Sequence, residues 1–253
     1  MSGDGADDSQ PTPQPTQSRL YFRQLLSGQD FATSDPIARQ MVNFAYLIGD
    51  RESREAVVVD PAYAVDDLLD ILAEDDMELT GVLATHFHAD HIGGNMMGYS
   101  IEGVAQLLER QGTKIHLQAP EAELVRKTTG ISMSDMELHA PGDVVSVGAI
   151  DIELLHTPGH TPGSQCFLVG GALVAGDTLF LDGCGRMDLP GSDPAAMYRS
   201  LHDTLAKVPD SAVLFPGHRY SFEPSATMGQ TRQMNYVFKP RSEQQWLMMF
   251  GQG

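Results

Sequence analysis

The sequence predicts an α/β protein in which two sheets pack face to face beneath outer helices. Three observations carry that prediction. Short apolar strands and amphipathic helices alternate, and from Ile150 onward the alternation starts again. Neither series is long enough to form a complete αβ domain alone, whereas layering two sheets buries one apolar face of each. The residues capable of chemistry fall repeatedly just after a strand: His86 to His91, His160, Asp177 and His218.

The elements follow in order. Residues 1–18 are polar and rich in Pro, Gln, Ser and Asp, too poor in apolar area to offset ordering entropy, and read as a disordered tail. Asn43 to Gly49 and Glu55 to Val59 read as strands joined by a hairpin loop over Asp50 to Ser53. Val65, Leu68, Leu69 and Leu72 share one face of a helix over Tyr63 to Asp75. Thr80 to Thr85 is a strand that delivers the histidines. A helix over Ile101 to Arg110 stops before Gly112. Lys114 to Leu117 is a short strand, and Pro120 to Thr129 is a helix with Pro120 in its first turn. Gly130 to Ala140 shows no periodicity and receives no assignment. In the second series Ile150, Ile152 and Leu154 alternate into a strand that ends at His156-Thr157-Pro158-Gly159-His160. Gln165 to Val169 and Ala172 to Ala175 form a hairpin across Gly170-Gly171. Asp193-Pro194 opens a helix carrying Tyr198, Leu201, Leu205 and Val208. Val213 to Phe215 is a last strand, ending at Pro216-Gly217-His218.

Composition narrows the function. With 34 acidic and 16 basic residues the formal charge is -18, which argues against a nucleic-acid partner, since phosphates are neutralised by Lys and Arg. No apolar run approaches the roughly 18 residues of a spanning helix, so no membrane partner is expected. No secretory signal is visible, and the two cysteines, Cys166 and Cys184, suggest no disulfide framework, so a cytoplasmic location is expected.

The strongest local signal is Thr85-His86-Phe87-His88-Ala89-Asp90-His91, three imidazoles and a carboxylate on the turn leaving a strand. These are the ligands that borderline divalent metals such as zinc prefer. A solvated polar loop needs no such crowding of histidines. Alone, His160 reads equally as a turn residue and Asp177 as a cap. His116, His139, His156 and His202 are read as structural or exposed, His156 lying near His160.

With these motifs in place, the chain resembles the metallo-β-lactamase superfamily, in its glyoxalase II and persulfide dioxygenase branch. The likeness spans about residues 20 to 220 and rests on THFHADH at 85–91, HTPGHTPGS at 156–164, GDTLF at 176–180, GCGR at 183–186 and PGH at 216–218. It implies an αββα sandwich of two mixed sheets, face to face with helices outside. It divides the chain into a catalytic domain over 19–220 and an extension over 221–253, whose Trp246 to Phe250 run packs on the domain or across a homodimer contact. It also implies that His86, His88 and His160 hold one metal, that Asp90, His91 and His218 hold a second, and that Asp177 bridges them. Asp90 and Asp177 are then the catalytic carboxylates. Segment 95–111 looks inserted relative to both relatives.

The chemistry implied is hydrolysis of a small acyl-thioester, as in glyoxalase II, by a hydroxide held between two divalent cations, zinc in this reading. The alternative is a persulfide dioxygenase, with one ferrous iron held by His86, His160 and Asp177. GCGRMD at 183–188 and the short tail after His218 favour that branch. A third reading is a metal or redox sensor without catalysis. The expected partner is a small thiol conjugate, and Arg186 is a candidate for pairing with an anionic group on it. Arg232, Lys239 and Arg241 form a sparse basic cluster read as exposed. Cys184 lacks a neighbouring base and is not read as a nucleophile.

Overall fold

The computed structural model describes residues 19–251, so the expectation for residues 1–18 lies outside the described residues. In chain order the strands are β1 (Leu20–Leu26), β2 (Phe44–Asp50), β3 (Glu55–Val59), β4 (Glu78–Leu83), β5 (Gly94–Met96), β6 (Tyr99–Ile101), β7 (Ile115–Gln118), β8 (Met136–His139), β9 (Val144–Val147), β10 (Ile150–His156), β11 (Gln165–Val169), β12 (Ala172–Gly176), β13 (Val213–Pro216) and β14 (Ala226–Thr227). The helices are α1 (Pro36–Met41), α2 (Val65–Glu74), α3 (Ala89–Ile92), α4 (Val104–Arg110), α5 (Ala122–Thr129), α6 (Pro194–Arg199), α7 (Met228–Met234) and α8 (Glu243–Phe250).

One sheet runs β1-β2-β3-β4-β7-β8 and the other β14-β13-β12-β11-β10-β9. Both are mixed: β3, β4, β7 and β8 are mutually parallel, and β12 pairs in parallel with β13. Side-chain alternation along the strands builds three apolar layers. On the first sheet Leu47, Val58 and Val82 face Leu68 and Leu72 of α2 and Leu107 of α4. Tyr46, Ile48, Val57 and Val59 point the other way, against Ile152, Leu154, Phe167 and Val174 of the second sheet. The far face of that sheet, with Leu173 and Leu214, is covered by Met197, Leu201, Met228 and Trp246. The result is helix, sheet, sheet, helix. β2 is buried along its whole length, as a strand with apolar layers on both sides must be.

Several elements differ from the sequence reading. Ile101 ends a short hairpin, β5–β6, and the helix behind it starts only at Val104. The 120–129 segment opens as one 3-10 turn over Ala119–Glu121 before α5. Unassigned residues 130–140 contribute β8, where Met136 is buried and Leu138 exposed. As an edge strand it covers one side only, so its pattern is too short to register. Asp193 does cap α6, accepting from the backbone N–H groups of Ala195 and Ala196 at 2.8 and 3.0 Å. No helix among the described residues is long and apolar enough to cross a membrane.

Candidate metal centre

The loops leaving β3, β4, β10, β12 and β13 meet at one rim of the sandwich. There the sheets are stitched together. Gln165 donates its backbone N–H to the carbonyl of Thr85 at 3.0 Å and its side-chain amide to that of Ala84 at 2.8 Å. On the other side of the rim Phe44 N–H donates to Gly217 O at 2.8 Å. These bonds fix the distance between a histidine-bearing loop of one sheet and the Asp177 and His218 loops of the other.

All seven residues expected at the centre come together. Nε2 of His86 and Nε2 of His160 each lie 3.0 Å from Nδ1 of His88. Nε2 of His91 and Nε2 of His218 are 3.2 Å apart, with Asp90 Oδ2 at 3.6 and 3.5 Å from them. Asp177 lies between the two groups. Its Oδ1 is 3.4 Å from both Nε2 of His91 and Nε2 of His218, and its Oδ2 is 3.6 Å from Nε2 of His160.

The second nitrogen of each ring shows what the first can do. Nδ1 of His160 faces the carbonyl of Arg186 at 2.8 Å, and Nδ1 of His218 faces that of Met41 at 2.9 Å. Nδ1 of His91 faces Asp60 Oδ2 at 2.9 Å. Those oxygens only accept, so each Nδ1 carries a proton and each Nε2 is the atom left to face a cation at the centre. His86 follows the same logic through a relay. The Thr85 hydroxyl donates to Asp60 at 2.6 Å and therefore accepts from His86 Nδ1 at 2.9 Å. The Nε2 atoms of His91 and His218 face each other at 3.2 Å, an arrangement that a cation between them would satisfy. Asp177 Oδ1 is moreover buried without a hydrogen-bond partner. This donor set fits divalent metal.

The electrostatics agree. Burial, then the neighbouring His91, pushes His86 well below the usual imidazole value, and burial with His160 pushes His88 down to about 4. Burial also works against charge on His91, yet Asp90, Asp177 and Asp60 override it and raise that ring to about 10. Burial alone would raise Asp177, but His218, His91 and His160 hold it well below the carboxylate range. The carboxylates thus demand positive charge at this point, which divalent cations would supply.

Three supporting residues escaped the sequence reading. Asp60 binds His91, and it also accepts from Thr85 N–H at 2.7 Å. Asn43 donates to Asp90 Oδ2 at 3.1 Å and is itself held by the Tyr63 hydroxyl at 3.1 Å. Glu121, at the start of α5, reaches under two ligand loops at once. It accepts from Phe87 N–H at 2.8 Å, Thr161 Oγ1 at 2.7 Å and Gly163 N–H at 2.6 Å. Burial raises its pKa, against the pull of those donors. Asp60 carried a legible signal, an acid directly after a strand; Asn43 and Glu121 carried none. Gly217 explains the PGH motif: a Cβ there would sit 2.5 Å from Asp177 Oδ1.

A cavity of about 690 Å³ opens over the centre, with His88, Asp90, His160, Asp177 and His218 in its wall. Arg186 lies at its edge. Its guanidinium is turned to Asp188, at 2.9 and 2.8 Å, while its carbonyl orients His160. Burial pushes the Cys184 thiol up to about 12, in keeping with an inert side chain. His156 binds the Pro162 carbonyl at 2.9 Å and so braces the His160 loop. His116 and His139 stack on each other on β7 and β8, outside the centre.

The fold and this centre have clear counterparts. The chain belongs to the metallo-beta-lactamase superfamily, whose family model matches residues 39–218, and it is a metal-dependent enzyme of that fold. A probable polyketide biosynthesis zinc-dependent hydrolase, BaeB of Bacillus velezensis, is 30% identical over 199 residues, covering 78% of this chain and 82% of that protein. Mitochondrial persulfide dioxygenase ETHE1 of Mus musculus is 30% identical over 218 residues, covering 83% of this chain and 79% of that protein. The crystal structure of ETHE1 from Myxococcus xanthus superposes with a TM-score of 0.74 at 29% identity, covering 92% of this chain and 90% of that one.

Proposed function

We propose that the chain is a binuclear metallo-hydrolase that cleaves a small acyl-thioester, as glyoxalase II does. The observation that supports this most is the position of Asp177, one carboxylate oxygen turned to each of two separate three-ligand groups. A mononuclear reading leaves Asp90, His91 and His218 without a cation. In this reading His86, His88 and His160 hold one cation, Asp90, His91 and His218 the other, and Asp177 both. Two divalent cations there would bring bound water to a pKa near neutrality and polarise the acyl carbonyl.

The chain's own residues do the rest. Asp177 and Asp90 fix the geometry and the charge of the centre. Asp60 and Asn43 hold His91 and Asp90 in place. The cavity over the centre gives the acyl group room beside the metal-facing residues. In the reaction a water molecule gives up a proton to solvent, its oxygen joins the acyl carbon, the C–S bond breaks, and the electron pair leaves on sulfur, giving a carboxylic acid and a thiolate. A thiolate is a good leaving group, so no strong general acid is required.

A second reading is a persulfide dioxygenase, favoured by the similarity to the mouse enzyme and by GCGRMD at 183–188. His86, His160 and Asp177 alone form a two-imidazole, one-carboxylate face suited to ferrous iron. The test is elemental analysis of protein purified without added metal, with parallel assays of thioester cleavage and of oxygen uptake with a persulfide. Two zincs and thioester cleavage support the hydrolase. One iron and oxygen uptake overturn it.

A further inference from the structure

The cavity speaks to the kind of acyl-thiol that enters. Beyond the metal-facing residues its wall includes Phe87, Met96, Met97, Phe180, Tyr220 and Tyr236, with Asn95, Thr128 and Asp182 among its polar members. Among the described lining residues Arg186 is the sole Lys or Arg, and its guanidinium is held by Asp188. Two of the three basic residues of the cluster seen in the sequence are engaged elsewhere. Arg232 is bound to Asp210 and to the carbonyls of Leu205 and Val208, and Lys239 to the carbonyl of Gln233. An anionic peptide carrier would find Asp182 in the wall and the one lining guanidinium already paired with Asp188.

The β5–β6 hairpin adds an independent observation. Its two-residue turn is Met97-Gly98, with positive φ at both, 51° and 86°. That turn favours Asn-Gly, and a methionine there is strained. Met97 is also 93% exposed although it lines the cavity. A strained turn position that holds an exposed, flexible thioether over a binding cavity makes physical sense if an apolar group covers it.

We infer that the substrate carries a medium-length apolar acyl chain, which packs along Phe87, Phe180 and Tyr220 and beneath Met96 and Met97, instead of an anionic peptide carrier. This rests on the hydrolase reading for its acyl-thioester chemistry, but its physical content is the affinity of the cavity for an alkyl chain.

The metal-loaded enzyme is assayed with acetyl, butyryl, hexanoyl and octanoyl thioesters of N-acetylcysteamine, and with lactoylglutathione. The value of kcat/KM rises about fourfold for each added methylene until the cavity is filled. Met97→Asn, which restores the preferred turn pair and so should fold, lowers the octanoyl-to-acetyl ratio by at least about tenfold. Preference for lactoylglutathione, or no dependence on chain length, overturns the inference while leaving the hydrolase reading intact. Calorimetric binding of octanoate and acetate reads the cavity without turnover. Octanoate binding at least about a hundredfold tighter supports the inference even if no thioester is cleaved, and equal affinities overturn it.

Discussion

At the rim between the sheets, buried imidazoles and carboxylates lie about 3 Å apart, held by loops whose partners come from distant parts of the chain. On the outer flank of the second sheet the chemistry is the reverse. Trp246 of α8 is fully buried among Met197, Leu201, Leu205 and Val237, its ring 4.3 Å from Phe250, and its one polar atom is satisfied by the Pro194 carbonyl at 2.7 Å. The rim concentrates charge in its interior, whereas the flank gains from area and keeps its ion pairs at the surface. Substitutions should therefore separate into two kinds, those that remove metal and turnover and those that remove stability.

The largest effect is expected at the rim. His86→Ala and Asp177→Ala should each lower turnover by more than about a thousandfold, with loss of bound metal measured by elemental analysis. Retained metal and activity in both variants would erase the contrast. One layer out, Asp60→Ala and Glu121→Ala should weaken metal binding by about 10–100-fold in a chelator competition, because they orient ligands without touching the cation. Glu121→Ala has the wider reach, since the same carboxylate anchors both the His86–His88 loop and the His160 loop.

At the flank, Trp246→Ala should cost about 3–5 kcal/mol in denaturant unfolding, while the metal content of the folded fraction stays at the wild-type value. Metal loss in that variant would show that the two regions are coupled. The smallest effect is expected at the exposed Arg199–Glu243 ion pair that joins α6 to α8. Arg199→Ala should change stability by less than about 1 kcal/mol.

The same contrast explains what could be read from the sequence. The layers were legible because strand and helix periodicities are local: Leu68 and Leu72, or Ile152 and Leu154, announce their faces within a few residues. The residues that gather at the rim were legible because THFHADH, HTPGH, GDT and PGH each hold their signal in a short run after a strand. Asn43 and Glu121 were not, because each acts on residues 34 to 47 positions away and looks ordinary beside its neighbours. The β5–β6 hairpin was missed because Gly94 to Ile101 lacks alternation and its turn, Met97-Gly98, is not a usual turn pair. Arg186 was singled out for its side chain, yet the contact it makes with the centre is through its backbone carbonyl.

The most direct measurement is anomalous diffraction from crystals of protein purified without added metal. The account predicts two peaks about 3.5–4 Å apart, one on either side of the Asp177 carboxylate. A single peak among His86, His160 and Asp177, or none at the rim, would contradict it.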